Sequence, residues 1–364
     1  MKFRAERDVL QEALAVVSRA TTTRGGALPA LAGVRMEVTD GRLHLAGSDL
    51  DLTIQVELGV AGDRDGVCVV PARLVTDIVR AFEPGAVSVA AEGGEAVLSA
   101  GRSQFTVRTL PAEEFLRLPE PTGDGVVLAA GDFADALRQV VPAASHDDAR
   151  PILTGVLLAA EGAGLRLVAT DSYRLALRDL PGTSVLQEGQ HVLVPSRALG
   201  ELARVLVGAE QVTLRLGADE ASFDIGSTRL TTRLIEGEFP NYRQLVPASC
   251  PNRLSVGKDG LLDAVRRVKL LAREATPVRL HLSAEGLELT AVTQDVGQAR
   301  EDVEAKYEGT EMVVAFNPTF LIDGVEAVAG DEVALETTDA LKPATVRGSD
   351  GDDYLYLLMP VRVS

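Results

Sequence analysis

Aromatic residues, cysteine and long apolar runs are all scarce in this 364-residue chain. It has no tryptophan and only 4% aromatic residues, so its core must be built from leucine, valine, alanine and isoleucine. Its two cysteines, Cys68 and Cys250, are far apart and lack metal-ligand spacing, as expected for a reducing compartment. No apolar run approaches the ~18 residues of a membrane span, and residues 1–6 turn charged at once, unlike a signal peptide. We therefore expect a cytoplasmic protein.

Motifs for catalysis are also missing. The chain has four histidines, and the run Ser145-His146-Asp147-Asp148 looks like a catalytic triad on paper. However, triads are assembled from segments far apart in the chain, because neighbouring residues rarely present the required relay geometry. There is no His-Glu-x-x-His, no Gly-x-Ser-x-Gly and no Gly-x-x-x-x-Gly-Lys. We expect no enzymatic activity, no catalytic residues, no metal site and no cofactor.

The chain does contain one pattern three times. Residues 43–49 (LHLAGSD) recur as 165–171 (LRLVATD) and as 287–293 (LELTAVT), at steps of 122 residues. Residues 70–74 return as 194–198 and more loosely as 316–320, and residues 101–105 return as 226–230. This period is far longer than the ~20–50 residues of solenoid repeats. We predict three domains of one fold, at residues 1–120, 126–247 and 252–364.

Each repeat is predicted to hold two helices and several short, mostly antiparallel strands. The first helix has apolar residues at helical spacing between Val9 and Val17, with Asp8 as its N-cap. The second is expected at residues 72–82, with an apolar side formed by Leu74, Val75, Ile78 and Val79. Further helices are expected near 132–141, 196–207, 259–272 and 318–328. The fold class is α+β, with two helices of each domain packed on antiparallel sheets.

The net charge of −17 excludes a protein that coats nucleic acid with a uniformly basic surface. Arginines nevertheless recur seven residues apart on predicted helices, as Arg73 with Arg80 and as Arg197 with Arg204. Ordinary solvated helix faces would explain one pair, but equivalent positions in two repeats favour a shared basic face. Twelve such helices from two chains, at ~8–10 Å each, would enclose a hole about 30–38 Å across, wide enough for duplex DNA. DNA binding would then be topological, without base readout.

Five stretches, in this order, make the chain similar to the bacterial DNA polymerase III β subunits, the sliding clamps. They are residues 1–3 (MKF), 169–175 (ATDSYRL), 236–243 (EGEFPNYR), 316–318 (FNP) and 358–362 (LMPVR). The resemblance covers the whole chain. It implies the DNA clamp fold and a head-to-tail homodimer that closes into a ring around duplex DNA, with helices lining the hole. It implies no catalysis, and as partners the polymerase III α subunit, the clamp loader and repair polymerases, bound through short peptide motifs. Peptide inhibitors of the same cleft are further expected ligands.

The resemblance also implies three sets of site residues. A cleft between the second and third domains would bind client peptides through Leu153, Thr170, Arg174, Leu175, Pro240, Leu245, Leu357, Met359, Pro360, Val361 and Arg362. DNA would be contacted by Arg24, Arg73, Arg80, Arg150, Arg197 and Arg204. The ring would close where Phe105 and Val107 of one protomer meet Leu270 and Leu271 of another. Ser172 departs from the glycine or basic residue common in the family, which would alter peptide preference or inhibitor sensitivity.

An alternative function stays within this fold. The chain would then be a clamp paralogue that serves as an accessory or inhibitor-resistance copy and not as the housekeeping clamp. Because both copies would carry the same fold and cleft, only genetic depletion distinguishes them.

Overall fold

The computed structural model describes residues 1–22, 28–118, 120–272, 276–349 and 353–362. Arg24, one of the predicted DNA-contacting residues, therefore lies outside the described residues. Among those residues, no helix is both long and apolar enough to cross a membrane.

The first repeat alternates short strands with two helices. Its elements are β1 (Lys2–Glu6), α1 (Arg7–Val17), β2 (Gly33–Thr39), β3 (Arg42–Ser48), β4 (Leu52–Gly59), β5 (Ala61–Arg64), β6 (Gly66–Pro71), α2 (Ala72–Ala81), β7 (Ala86–Glu92), β8 (Glu95–Ala100) and β9 (Ser103–Arg108). Helix α1 begins at Arg7, with Glu6 as its N-cap, so the predicted cap at Asp8 was wrong by two residues. Leu74 of α2 is 50% exposed, so its predicted place on the apolar side was also wrong, because it flanks the buried stripe.

The second repeat follows the same order. Its elements are β10 (Gly125–Ala129), α3 (Ala130–Val140), β11 (Gly155–Glu161), β12 (Gly164–Thr170), β13 (Arg174–Pro181), β14 (His191–Pro195), α4 (Ser196–Val205), β15 (Gln211–Leu216), β16 (Glu220–Ile225) and β17 (Thr228–Arg233). Short 3-10 helices at Pro29–Ala32 and Pro151–Thr154 occupy equivalent positions in the first two repeats.

The third repeat completes the series. Its elements are β18 (Asn252–Gly257), α5 (Lys258–Lys269), β19 (Val278–Ser283), β20 (Gly286–Thr293), β21 (Gly297–Val303), β22 (Ala305–Glu308), β23 (Met312–Phe316), α6 (Pro318–Glu326), β24 (Glu332–Thr337), β25 (Ala344–Gly348) and β26 (Tyr354–Leu358). Helix α5 buries an apolar stripe that includes Leu261, Val265 and Val268, and its charged residues face outward.

Strands of neighbouring repeats join in common sheets. The described chain forms two compact units, residues 1–131 with 201–234, and residues 132–200 with 235–364. The first unit holds a five-stranded sheet (β5-β1-β7-β8-β9) and an eight-stranded sheet (β10-β15-β16-β17-β4-β3-β2-β6). The second unit holds a nine-stranded sheet (β14-β11-β12-β13-β26-β25-β24-β18-β22) and a four-stranded sheet (β21-β20-β19-β23). In the two large sheets, β17 pairs with β4 and β26 pairs with β13, both antiparallel.

The turns that lead into β4 and β13 share an unusual backbone. Leu50 has φ 85° and Ser172 has φ 81°, a left-handed conformation that is costly for residues other than glycine. In each turn the preceding aspartate accepts two backbone hydrogen bonds. Asp49 accepts from the amides of residues 51 and 52 at 3.2 and 2.9 Å, and Asp171 from those of residues 173 and 174 at 2.8 and 3.0 Å. These bonds offset the backbone strain and make the two turns equivalent in detail.

Candidate functional site

The second compact unit contains a surface cavity of about 410 Å³. Four segments form its walls: the turn before β13, the residues just before β19, the first turn of α6, and the chain that follows β26. The lining residues are Tyr173, Thr276, Pro277, Asn317, Phe320, Met359, Pro360 and Val361. Apolar walls with a few polar groups are typical of sites for peptides or small molecules.

Backbone hydrogen bonds fix the segment that follows β26. The amide of Met359 donates to the carbonyl of Tyr173 at 2.9 Å, and the amide of Val361 donates to the carbonyl of Ala315 at 2.8 Å. The segment is thus tied on one side to the turn of the second repeat and on the other to β23 of the third. Its side chains stay accessible, since Met359 is 41% exposed. A flexible thioether at this position suits contact with apolar side chains of different shapes.

Asn317 and Pro318 define the start of helix α6, and this start lies at the cavity. The Asn317 carboxamide oxygen accepts from the amides of Thr319 at 2.9 Å and Phe320 at 3.3 Å. Pro318 at the first helical position has no amide hydrogen that would need a partner. This cap places both Asn317 and Phe320 in the cavity wall.

Arg174 lies behind the cavity wall. Its side chain is 7% exposed, and its guanidinium lies 4.3 Å from the centre of the Phe320 ring. Nε donates to Asp171 at 3.0 Å, and Nη1 donates to Asp323 of α6. Burial raises the pKa of the Tyr356 phenol, which stays protonated and donates to the Phe320 carbonyl at 2.8 Å. The charged and polar groups behind Phe320 are therefore paired with one another.

The predicted cleft residues are divided between the cavity wall and the core. Met359, Pro360 and Val361 line the cavity. Leu175 and Leu357 are 2% and 3% exposed, in a buried cluster that also contains Tyr242. The remaining predicted positions are distributed by exposure: Leu153 and Thr170 are buried, whereas Pro240, Leu245 and Arg362 are exposed.

The buried side chain of Tyr242 anchors the segment that carries Pro240 and Leu245. This tyrosine is 3% exposed and packs in the same cluster as Leu175 and Leu357, and the Phe239 ring contacts it edge-on at 6.3 Å. Arg243 stacks 5.2 Å over the Tyr242 ring. The buried ring thus anchors a short segment whose flanking apolar residues remain on the surface.

Sequence reasoning missed five of the residues that line the cavity, namely Tyr173, Thr276, Pro277, Asn317 and Phe320. Two signals pointed toward them. Asn317-Pro318 is a helix-start sequence, and Thr276-Pro277 occupies the repeat position of Arg150-Pro151. Neither signal by itself shows that the side chains face a cavity.

Five of the predicted DNA-contacting arginines lie in the described part of the chain, and all five are exposed. Acidic side chains accompany several of them. Arg80 pairs with Asp77 at 3.2 Å, and Arg204 pairs with Glu201 at 2.6 Å. Arg150 lowers the pKa of Asp147 through a hydrogen bond at 2.9 Å, and it also reaches the Ser172 hydroxyl at 3.2 Å. The other two positions, Arg73 and Arg197, are exposed on α2 and α4.

Residues 145–148, which looked like a triad, form a local turn. The Asp147 amide donates to the Ser145 hydroxyl at 3.1 Å, and the Asp147 carboxylate holds Arg150. A catalytic relay would instead require a histidine between the serine and the carboxylate.

The predicted interface residues differ in exposure. Leu270 is 84% exposed, and Phe105 is 43% exposed with its ring edge-on to Phe82 at 5.6 Å. Leu271 is half-buried, and Val107 is only 7% exposed, on the inner face of its own sheet.

Comparison with known proteins gives matches along the whole chain. The N-terminal, central and C-terminal domain models of the DNA polymerase III beta subunit match residues 1–119, 128–241 and 243–362. The beta sliding clamp of Streptomyces coelicolor is 38% identical over 383 residues, with 100% of both chains covered. That of Escherichia coli K12 is 31% identical over 369 residues, again with 100% of both covered.

A solved structure also matches along the whole chain. The sliding clamp of Pseudomonas aeruginosa bound to griselimycin is 29% identical, with a TM-score of 0.91 and 100% of both chains covered. The predicted α+β fold of three similar clamp domains is confirmed by this match. The matches do not favour the accessory-paralogue alternative over the clamp. With its three domain models matched in chain order and relatives similar over their full length, the chain belongs to the DNA polymerase III beta subunit family, the bacterial sliding clamps.

Proposed function

We propose that two copies of this chain close head to tail into a ring around duplex DNA, and that the cavity beside Met359 tethers replication and repair proteins to it. In this function the chain performs no chemistry. It would act in the cytoplasm, where a clamp loader opens the ring and short peptide motifs of the polymerase and other clients occupy the cavity.

The equivalence of strands between repeats carries the ring proposal. Strand β17 pairs with β4, and its counterpart β26 pairs with β13. Strand β9 of the first repeat corresponds to β17 and β26, and strand β21 of the third repeat corresponds to β4 and β13. In the described chain, β9 and β21 do not form such a junction, and each lies at an edge of its sheet. Edge strands expose unpaired backbone groups that favour pairing with another chain. A β9–β21 pair between two chains would repeat the same junction at both ends of the protomer.

The two observed junctions predict the register of the third. Leu230 lies opposite Ile54, and Tyr356 lies opposite Ala176. The equivalent residues Gly47, Ala169 and Ala291 lie opposite Ile54, Ala176 and Ala299, because the third repeat has one extra residue in this turn. The same junction therefore places Phe105 opposite Ala299 of the partner subunit. A heterologous contact of this kind closes into a ring only when the rotation between subunits is right, and otherwise gives filaments.

The charge pattern supports loose contact with DNA. Exposed arginines recur on α2 and α4, but Asp77 and Glu201 are paired with Arg80 and Arg204. Such faces would interact with phosphates weakly and in a salt-dependent way, which permits sliding. Retention would then depend on closure of the ring and not on tight electrostatic binding.

The cavity supports the tethering part of the proposal. Its exposed apolar groups, including Met359 and Val361, are held by a backbone that is hydrogen-bonded on both sides. A preformed groove of this kind can bind short extended peptides without a large ordering cost. Griselimycin, bound in the Pseudomonas aeruginosa relative, is accordingly expected to bind this chain.

A cysteine cross-link tests the ring. In a Cys250→Ser background, Gln104→Cys with Arg300→Cys places two thiols at directly opposed positions of the proposed pair, within the ~4.4–6.8 Å Cα separation of disulfides. Mild oxidation should give covalent dimers that negative-stain microscopy shows as closed rings. The matched control, Gln104→Cys with Ala299→Cys, puts the thiols on opposite faces and should stay monomeric under denaturing electrophoresis. Equal cross-linking of both variants, or linear chains of protomers, would contradict the proposed closure.

Topological retention tests the function itself. The clamp loader of Streptomyces coelicolor, with that species' own clamp as positive control, would load the cross-linkable variant onto nicked circular plasmid before oxidation. The closed ring should resist high salt on the circle and be released when the plasmid is cut. If the protein leaves the uncut circle as fast as it leaves the cut plasmid, it does not encircle DNA.

A further inference from the structure

We propose that Asp323 is a positioning residue of the cavity: it holds the Arg174 guanidinium, which in turn holds the Phe320 ring in the cavity wall. This inference rests on the proposed client-binding function of the cavity. Neither Asp323 nor Arg174 lines the cavity, so both would act through Phe320.

The guanidinium of Arg174 is held from two sides. Asp171 Oδ2 accepts from Nε at 3.0 Å, and Asp323 accepts from Nη1. With both carboxylates in place, the guanidinium carbon Cζ lies 4.3 Å from the centre of the Phe320 ring. The Arg174 side chain is 7% exposed and that of Asp323 is 28% exposed, so solvent screens this contact less than a surface ion pair.

The two carboxylates have different origins. Asp171 belongs to the turn of the second repeat, where its other oxygen accepts from the amides of Tyr173 and Arg174. Asp323 belongs to α6 of the third repeat, whose first turn carries Phe320. The ion pair with Asp323 therefore connects the two cavity walls, one bearing Tyr173 and the other bearing Phe320.

The first repeat shows that the turn does not need this arginine. The equivalent turn keeps the aspartate, both of its backbone hydrogen bonds and the left-handed residue Leu50, yet Leu52 stands at the position of Arg174. The turn therefore folds without a guanidinium. The Arg174–Asp323 pair is an addition in the repeat that borders the cavity, which assigns its role to the cavity wall.

Removing the charge of Asp323 should loosen this wall without unfolding the chain. An asparagine can still accept one hydrogen bond, but it leaves Arg174 with a single carboxylate. The guanidinium would then turn toward Asp171, and the Phe320 ring would lose the cation that covers its face. Couplings of this kind change ligand affinity by about 2- to 30-fold.

Calorimetric titration with griselimycin tests the inference on the full chain. Asp323→Asn should weaken binding about tenfold, and Asp323→Glu, which restores the carboxylate, should recover most of the affinity. The matched control is Glu326→Gln, on the same helix. It loses an exposed ion pair with Arg266 at 2.5 Å that does not involve Arg174, and it should bind like wild type.

A spectroscopic readout separates positioning from simple destabilisation. With 4-fluorophenylalanine incorporated at position 320, the ¹⁹F resonance should shift and broaden in Asp323→Asn, return in Asp323→Glu and stay unchanged in Glu326→Gln. Two results would overturn the inference. In the first, Asp323→Asn loses affinity only in proportion to a lower thermal unfolding midpoint, while its ¹⁹F resonance does not move. In the second, Asp323→Asn binds griselimycin with wild-type affinity. If the wild-type chain binds no griselimycin, the proposed client site is contradicted. The resonance then still decides whether Asp323 positions Phe320.

Discussion

Cys68 shows how burial controls the chemistry of a single side chain. It lies in β6 with 6% of its surface exposed, and burial raises the pKa of its thiol from 9.0 to about 11. The thiolate is the reactive form, so at pH 8 only about one Cys68 in a thousand is reactive. Cys250 is partly exposed and provides an internal reference.

We predict that native protein reacts rapidly with one equivalent of Ellman's reagent at pH 8, and with a second only in denaturant. Because the raised pKa keeps Cys68 protonated, its slow native reaction should accelerate about tenfold for each pH unit between 8 and 10. Cys250→Ser should abolish the fast reaction, whereas Cys68→Ala should preserve it. Fast labelling of Cys250→Ser at pH 8 would show that Cys68 is accessible.

At the scale of residues, the sequence predicted which residues lie near the cavity. It was less successful in predicting which atoms each of these residues contacts. Met359 lines the cavity, whereas Leu175 and Leu357 support it from the core. Arg174 is a polar residue of the expected cleft, but its guanidinium is turned away by two carboxylates. One of these, Asp323, is 149 residues further along the chain, and a single sequence carries no signal for such a pair.

At the scale of elements, the packing of α6 on β26 requires a close approach between the helix and the strand. Gly324 lies where a Cβ atom would come within 2.5 Å of the Tyr356 ring, and the Tyr354 hydroxyl donates to the Gly324 carbonyl at 3.4 Å. Glycine therefore permits helix and strand to pack closely enough for Tyr356 to reach the Phe320 carbonyl. A side chain at this position would push the helix away from the strand.

We predict that Gly324→Ala destabilises the protein by up to about 2 kcal/mol, because an overpacking cost of about 1–3 kcal/mol exceeds the ~1 kcal/mol gained in helix propensity. The midpoint of guanidinium unfolding measures this change. Gly260→Ala in α5 is the matched control, since that glycine is exposed and has no atom within 4 Å of the added Cβ. It should gain about 0.5–1 kcal/mol. A stabilised Gly324→Ala would mean that α6 and β26 can separate without cost.

Helices were easier to predict than strand pairing. The apolar spacing predicted α6 at 318–328, and the helix is Pro318–Glu326, because an amphipathic stripe is a local signal. The pairing of β17 with β4 joins Leu230 to Ile54 across 176 positions and has no local signal. The repeats indicated equivalent strands, but only the structure shows that neighbouring repeats share a sheet.

At the scale of the whole molecule, the proposed ring depends on surface that each protomer leaves exposed at β9 and β21. Leu270 follows the end of α5 and is 84% exposed. Arg267, three residues earlier, pairs with Glu301 of β21 at 2.8 Å, which places the end of this helix beside that edge. A large apolar side chain so exposed is expected to gain most of its burial from a partner.

We therefore predict that Leu270→Glu weakens the dimer without changing the fold of the protomer. The added charge would be buried against the partner's apolar Phe105, and loss of one such anchor costs about 2–4 kcal/mol, or about 30- to 1,000-fold in the dimer dissociation constant. Sedimentation velocity over a dilution series measures this shift, and circular dichroism checks the fold. Leu341→Glu is the matched control, because Leu341 is 71% exposed in the same repeat but lies in a turn outside β21 and α5. If both variants dissociate at the concentration where the wild type does, closure does not involve Leu270, and the ring must close through a different surface.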